Sequence, residues 1–70
     1  MHTIYLSREP VELYKVLKFE GLVASGGEAK MLISEGLVMV NQEVEMRKRR
    51  KLYAGDQISF DGEEYKLVLV

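Results

Sequence analysis

Residues 47–51 read Arg47-Lys48-Arg49-Arg50-Lys51, five adjacent cations in a 70-residue chain whose net charge is −1. The run holds half of the ten lysines and arginines, and the other residues carry five positive and eleven negative charges. A concentrated basic patch on an acidic body steers a polyanion to one face and repels it from the others. Three of the five are arginine, whose planar fork suits bidentate contact with phosphate. The run is either a solvated loop with no task or a holder of anions. Adjacent like charges repel and gain nothing in folding, which favours a use. Charges would fall on both faces of a strand drawn through 47–51, so the pattern predicts a loop, or an edge that leaves a sheet. On that reading, replacing Arg49 and Arg50 together barely changes stability.

A second candidate is Ser25-Gly26-Gly27-Glu28. Ser25 suits a helix N-cap, and Glu28 could reach back to the Ser25 N–H to complete a capping box. The glycines following the cap would leave the first amides of the helix open to a phosphate, or would only shape the turn. Lys30 stands one turn further on, and Lys15 and Lys18 lie one turn apart on an earlier helix, facing water. Ser25 reads as a cap rather than a nucleophile, because the only histidine, His2, lies in a distant predicted strand. Glu63 and Glu64 read as the solvated flank of a hairpin. No metal-ligand spacing, phosphate-loop motif or catalytic carboxylate pair is present, so neither enzyme activity nor a cofactor is expected.

The elements that must position these groups are short. "HTIYL" (2–6) predicts a strand. Pro10 fits the first turn of a helix, in which Leu13, Val16, Leu17 and Glu20 share one stripe and which Gly21 ends. Ser25 opens the second helix, with Ala29, Leu32 and Ile33 facing inward and Met31 outward. Gly36 closes it, and Leu37 packs back on it. The period then changes from 3.6 to 2. "LVMV" (37–40) is a strand, Asn41-Gln42 a tight turn, and "EVEM" (43–46) a return with Val44 inward and Glu43 and Glu45 outward. "AGD" (54–56) turns into the strand "QISF" (57–60). Asp61-Gly62 is a strong hairpin signal, and it leads to a last strand with Tyr65, Leu67 and Leu69 on one face. The expected fold is α+β, a two-helix pair packed on a small antiparallel sheet, with residues 1–70 as a single domain.

Length and composition agree. A chain this short buries roughly 60% of its unfolded surface. Its 47% hydrophobic and 30% charged residues suit a folded domain. There is no cysteine, which excludes disulfide staples and thiolate metal sites. No apolar run approaches the ~20 residues of a membrane helix, and the N-terminus lacks signal-peptide character. A cytoplasmic protein is expected.

"ELYKVLKFEGLVASGGEAKMLISEGLVMVNQEVE" followed by "RKRRKLYAGDQISF" resembles the alpha-L RNA-binding motif, the S-four domain named for small-subunit ribosomal protein four. Gly21, Ser25, Ala29, Leu32, Ile33, Gly36, Val38, Val40, Asn41, Gly55 and Asp56 match its pattern in order and spacing across about residues 11–60. The likeness is strongest to the small stand-alone bacterial members. It implies binding of structured RNA, of ribosomal or transfer type, through the N-terminal part of the second helix and the loop beyond it. The sequence departs from the pattern with Glu12-Leu13-Tyr14 in place of Arg-Leu-Asp, with Gly26 and Gly27 after the capping serine, and with Gln42 in place of glycine. The first two departures shift the load of RNA contact to 47–51. The expected site is thus Arg47, Lys48, Arg49, Arg50 and Lys51, extended by Lys15, Lys18 and Lys30 and closed by the amides of Gly26 and Gly27. The expected protein is a monomer that binds RNA, with a ribosomal protein as a further possible partner and no membrane. The alternative is an adaptor that docks an acidic protein on the basic loop, with Phe19 and Met31 adding apolar contact.

Overall fold

A computed structural model describes residues Met1–Val70. Strand β1 (His2–Leu6) is followed by a two-residue strand β2 (Val11–Glu12), then helices α1 (Leu13–Phe19) and α2 (Gly26–Ser34). Strands β3 (Val38–Val40), β4 (Glu43–Val44), β5 (Lys51–Leu52), β6 (Gln57–Phe60) and β7 (Glu63–Leu69) complete the chain. The main sheet has the order β1-β7-β6-β3-β4. It is antiparallel except at β1–β7, where the first and last strands run parallel. A parallel pair needs a long crossover, and here everything between Leu6 and Glu63 supplies it. β2 and β5 form a separate two-residue ladder.

Both helices end in the same way. The N–H of Gly21 donates to Lys18 O and that of Leu22 to Leu17 O; Gly36 and Leu37 repeat the pair with Ile33 O and Leu32 O. These are paired Schellman bonds, and each needs a left-handed residue after the cap. Gly21 at φ +72° and Gly36 at φ +76° supply it. Leu13, Val16 and Leu17 of α1 and Ala29 and Ile33 of α2 meet Ile4, Val38, Ile58 and Leu67 of the sheet in one buried cluster.

Several expectations change. Pro10 lies outside α1, after a cis Glu9–Pro10 peptide. Val11 and Glu12 are extended because they pair with Leu52 and Lys51, so the helix starts only at Leu13. Glu20 is exposed at the C-cap of α1, beyond its buried stripe. Leu37 is exposed: the alternation that buries Val38 and Val40 turns it out, and only its amide closes the helix. Leu69 is likewise exposed, although Leu67 is buried.

The largest change is at β4. Asn41 and Gln42 both adopt positive φ, 51° and 69°, as a two-residue hairpin turn requires. That turn pins Val44 opposite the outward-facing Met39. Alternation therefore turns Val44 out and Glu45 in, the reverse of the expectation from the sequence. Val44 is 57% exposed and Glu45 only 6%.

Candidate nucleic-acid interface

Residues 47–50 form a tight turn, closed by the Arg50 N–H donating to Arg47 O at 3.2 Å. Lys51 differs from its neighbours, since it lies in β5 opposite Glu12. The main chain of the turn fixes its place. α1 begins without a side-chain cap at Glu12, and the first amides of a helix need external acceptors. Lys48 O accepts from the Tyr14 N–H at 3.1 Å, and Arg50 O accepts from the Leu13 N–H at 2.9 Å. The cationic run thus caps α1 with its carbonyls, at a helix end whose dipole repels cations.

Buried Glu45 offsets that repulsion. Its Oε2 accepts from the Arg47 N–H and Nε, both at 3.0 Å. Its Oε1 accepts from Arg47 Nη2 and Arg50 Nη1, both at 2.9 Å. The side-chain bonds from Arg47 lower the Glu45 pKa from an ordinary 4.5 to about 2, against the opposing effect of burial. The same contact raises the Arg47 pKa. Glu45 therefore stays ionised, pairs with two of the five cations and offsets one unit of their charge. The Arg47 side chain remains 74% exposed and that of Arg50 only 29%.

Arg49 of the run, with Lys15 and Lys30, gathers around Tyr14. Its ring centroid lies 4.6 Å from Lys30 Nζ, 5.7 Å from the Arg49 guanidinium carbon and 5.9 Å from Lys15 Nζ. Cations at such distances are attracted to the ring face. One aromatic side chain in α1 thereby joins a lysine of α2 and an arginine of the basic turn. Gly26 sits beside it: a Cβ there would lie 3.8 Å from the Tyr14 ring and 3.8 Å from the Lys18 Cδ. A methyl group would fit, so packing does not demand the glycine; its effect is to leave the start of α2 uncovered. Ser25 Oγ accepts from the Glu28 N–H at 3.1 Å, as expected, while Glu28 Oε1 accepts from the Ala24 N–H rather than from Ser25. The amides of Gly26 and Gly27, first in the helix, have no acceptor within it.

Lys18, Lys30, Lys48 and Lys51 have no carboxylate within 4 Å; Lys15 pairs with Glu12 at 3.3 Å and Arg49 more loosely with Glu12 at 3.9 Å. Arg47, Arg49, Arg50 and Lys51 alone line a shallow concavity. Lys15, Lys30 and Arg49 thus come together around Tyr14 with Gly26 beside it, Lys18 lays its stem beside Gly26 and its ammonium 5.9 Å from the Phe19 ring centroid, and Arg47 and Arg50 are drawn aside to Glu45. Tyr14 and Glu45 are the two organising residues that the sequence reading missed. Tyr14 and Lys18 share a helix face at i, i+4, and Glu45 precedes Arg47 by two residues; both spacings were visible signals.

Comparison with known proteins shows the family and the fold. The profile of the S4 domain family matches residues 4–68. YbcJ of Escherichia coli (strain K12) is 46% identical over 69 residues, covering 97% of this chain and 99% of that one. A Bacillus subtilis (strain 168) protein named "Probable ribosome maturation protein RlbA" is 41% identical over 59 residues, 84% of this chain and 83% of that protein. The solution structure of Escherichia coli YbcJ, described as revealing an alfaL motif involved in RNA-binding, superposes with a TM-score of 0.73 at 46% identity. The match covers 97% of this chain and 87% of that one.

Proposed function

This chain belongs to the S4 domain family, and on that premise we propose that it binds structured RNA of ribosomal or transfer type, as one domain and without catalysis. The observation that carries the reading is the convergence of cations from three separate segments on Tyr14. Lys18, Lys30, Lys48, Arg49 and Lys51 hold phosphates, the open amides of Gly26 and Gly27 take one more, and Arg47 offers the part of its guanidinium that Glu45 leaves free. Lys15 supports the patch from its pairing with Glu12. Attraction to the RNA backbone supplies most of the affinity. Selectivity comes from RNA shape, because side chains read A-form grooves poorly. The reading places the protein in the cytoplasm, as a monomer, with the ribosome or its precursors as the source of the RNA. No helix is long and apolar enough to cross a membrane.

A filter-binding titration against salt tests the proposal. The three to four phosphate contacts of the 47–51 run alone contribute about −2 to −4 to the log–log slope, and Lys18 and Lys30 steepen it further. A chain that fails to retain RNA at low salt, yet binds an acidic protein, is instead the adaptor that exposed Phe19 and Met31 would suit.

A further inference from the structure

We propose that Glu45 is a positioning residue for RNA recognition: this acidic side chain inside the basic face strengthens binding of folded RNA by fixing Arg47 and Arg50. The inference rests on the RNA-binding reading above. Simple electrostatics predicts the reverse, since a carboxylate among phosphate-binding cations opposes the approach of a polyanion.

The geometry decides between these effects. Glu45 is 6% exposed, so it presents little charge to an incoming ligand. Both of its oxygens are occupied, and all four donors come from Arg47 and Arg50. Arg47 gives up Nε and Nη2 to Glu45, which fixes the plane of the guanidinium and leaves Nη1 directed away. Arg50 is held by Nη1, and its carbonyl caps the Leu13 amide. One carboxylate therefore sets two guanidinium groups and the turn between them, and the turn also carries Lys48 and Arg49. Without it, binding must immobilise the Arg47 side chain and the turn that Arg50 holds in shape, both of which are now fixed in advance.

Three proteins and two RNAs test this. The proteins are the parent, Glu45→Gln and Glu45→Asp; the RNAs are a synthetic hairpin with an A-form stem and unstructured poly(U). Gln removes the charge and turns an amide donor toward arginine donors. Asp keeps the charge but is one methylene too short to reach both arginines. Both variants are expected to bind the hairpin about tenfold more weakly, the cost of ordering Arg47 and the turn that Arg50 shapes. Poly(U), which is held by charge alone, should bind Glu45→Asp as it binds the parent and Glu45→Gln as well or better. Glu45→Asp carries the test if Glu45→Gln does not fold.

Tighter binding of both RNAs by Glu45→Gln, with Glu45→Asp like the parent, would make Glu45 a mere opposing charge and overturn the proposal. Equal loss of both RNAs in both variants would make it a folding residue only and overturn it equally. A parent that binds neither RNA refutes the RNA-binding reading itself, and the positioning role falls with it.

Discussion

Arg49 and Arg50 are neighbours of the same charge, yet neutralising each should do different things. The Arg49 side chain is 65% exposed, and its only carboxylate partner, Glu12, is 3.9 Å away. Arg49→Gln should change stability by less than about 0.5 kcal/mol, as surface substitutions do. Arg50 is 29% exposed and donates to a carboxylate that is itself buried, at 2.9 Å. A hydrogen bond to a charged group contributes about 1.5–3 kcal/mol. Glu45 keeps Arg47 in the variant, and Arg50 is partly screened by water, so Arg50→Gln should cost about 1–2 kcal/mol. In a domain of this size that lowers the melting temperature by roughly 5–15 °C. The effects on RNA are expected to rank the other way: Arg49→Gln weakens binding and makes the salt slope shallower by about 1 unit, while Arg50→Gln acts mainly through the shape of the turn. Thermal melts followed by circular dichroism, with filter binding on the same samples, measure both. An Arg50→Gln variant as stable as the parent, or an Arg49→Gln variant that loses more than about 1 kcal/mol, would refute the division of the run into structural and RNA-facing arginines.

Ser25→Ala removes the acceptor for the Glu28 N–H and should cost about 1 kcal/mol; an unchanged melting temperature would deny the cap its role. The Glu45 pKa is lower in the folded chain than the ordinary 4.5, at about 2. Its contribution is therefore complete above about pH 4.5 and disappears as pH falls toward 2. Melting temperatures recorded down this range should fall more steeply for the parent than for Glu45→Gln, and parallel curves would contradict the assignment.

Much of the fold was legible because its local signals agree. Gly21 and Gly36 mark both helix ends, Ser25 marks a start, and Asp61-Gly62 marks the last hairpin, whose residues have φ of 54° and 77°. What was not legible depends on tertiary pairing. Val11 and Glu12 follow a proline and look helical until β5 claims them. The inward turn of Glu45 follows from the register that Asn41-Gln42 imposes, and only a cationic run folding back over α1 makes burial of that carboxylate tolerable. The basic run declared its charge in the sequence but not its division of labour, because pairing with Glu45 depends on which face of β4 is inside. Glu12 stood where the family pattern has an arginine and read as a lost basic contact, and Tyr14 two residues on drew no role; its position between α2 and the turn makes it the centre of the patch.

In the function proposed above, RNA meets the face built from α1, the start of α2 and the 47–51 turn. Titrating isotope-labelled protein with an RNA hairpin, while following backbone amide resonances, tests it most directly. Shifts are expected to concentrate at Tyr14, Lys18, Gly26, Gly27, Lys30, Lys48 and Arg49, while those of Thr3 in β1 and Val68 in β7 stay in place. Shifts centred on β1 and β7, or on the exposed Val44 and Met46, with the Tyr14 cluster unmoved, would contradict it.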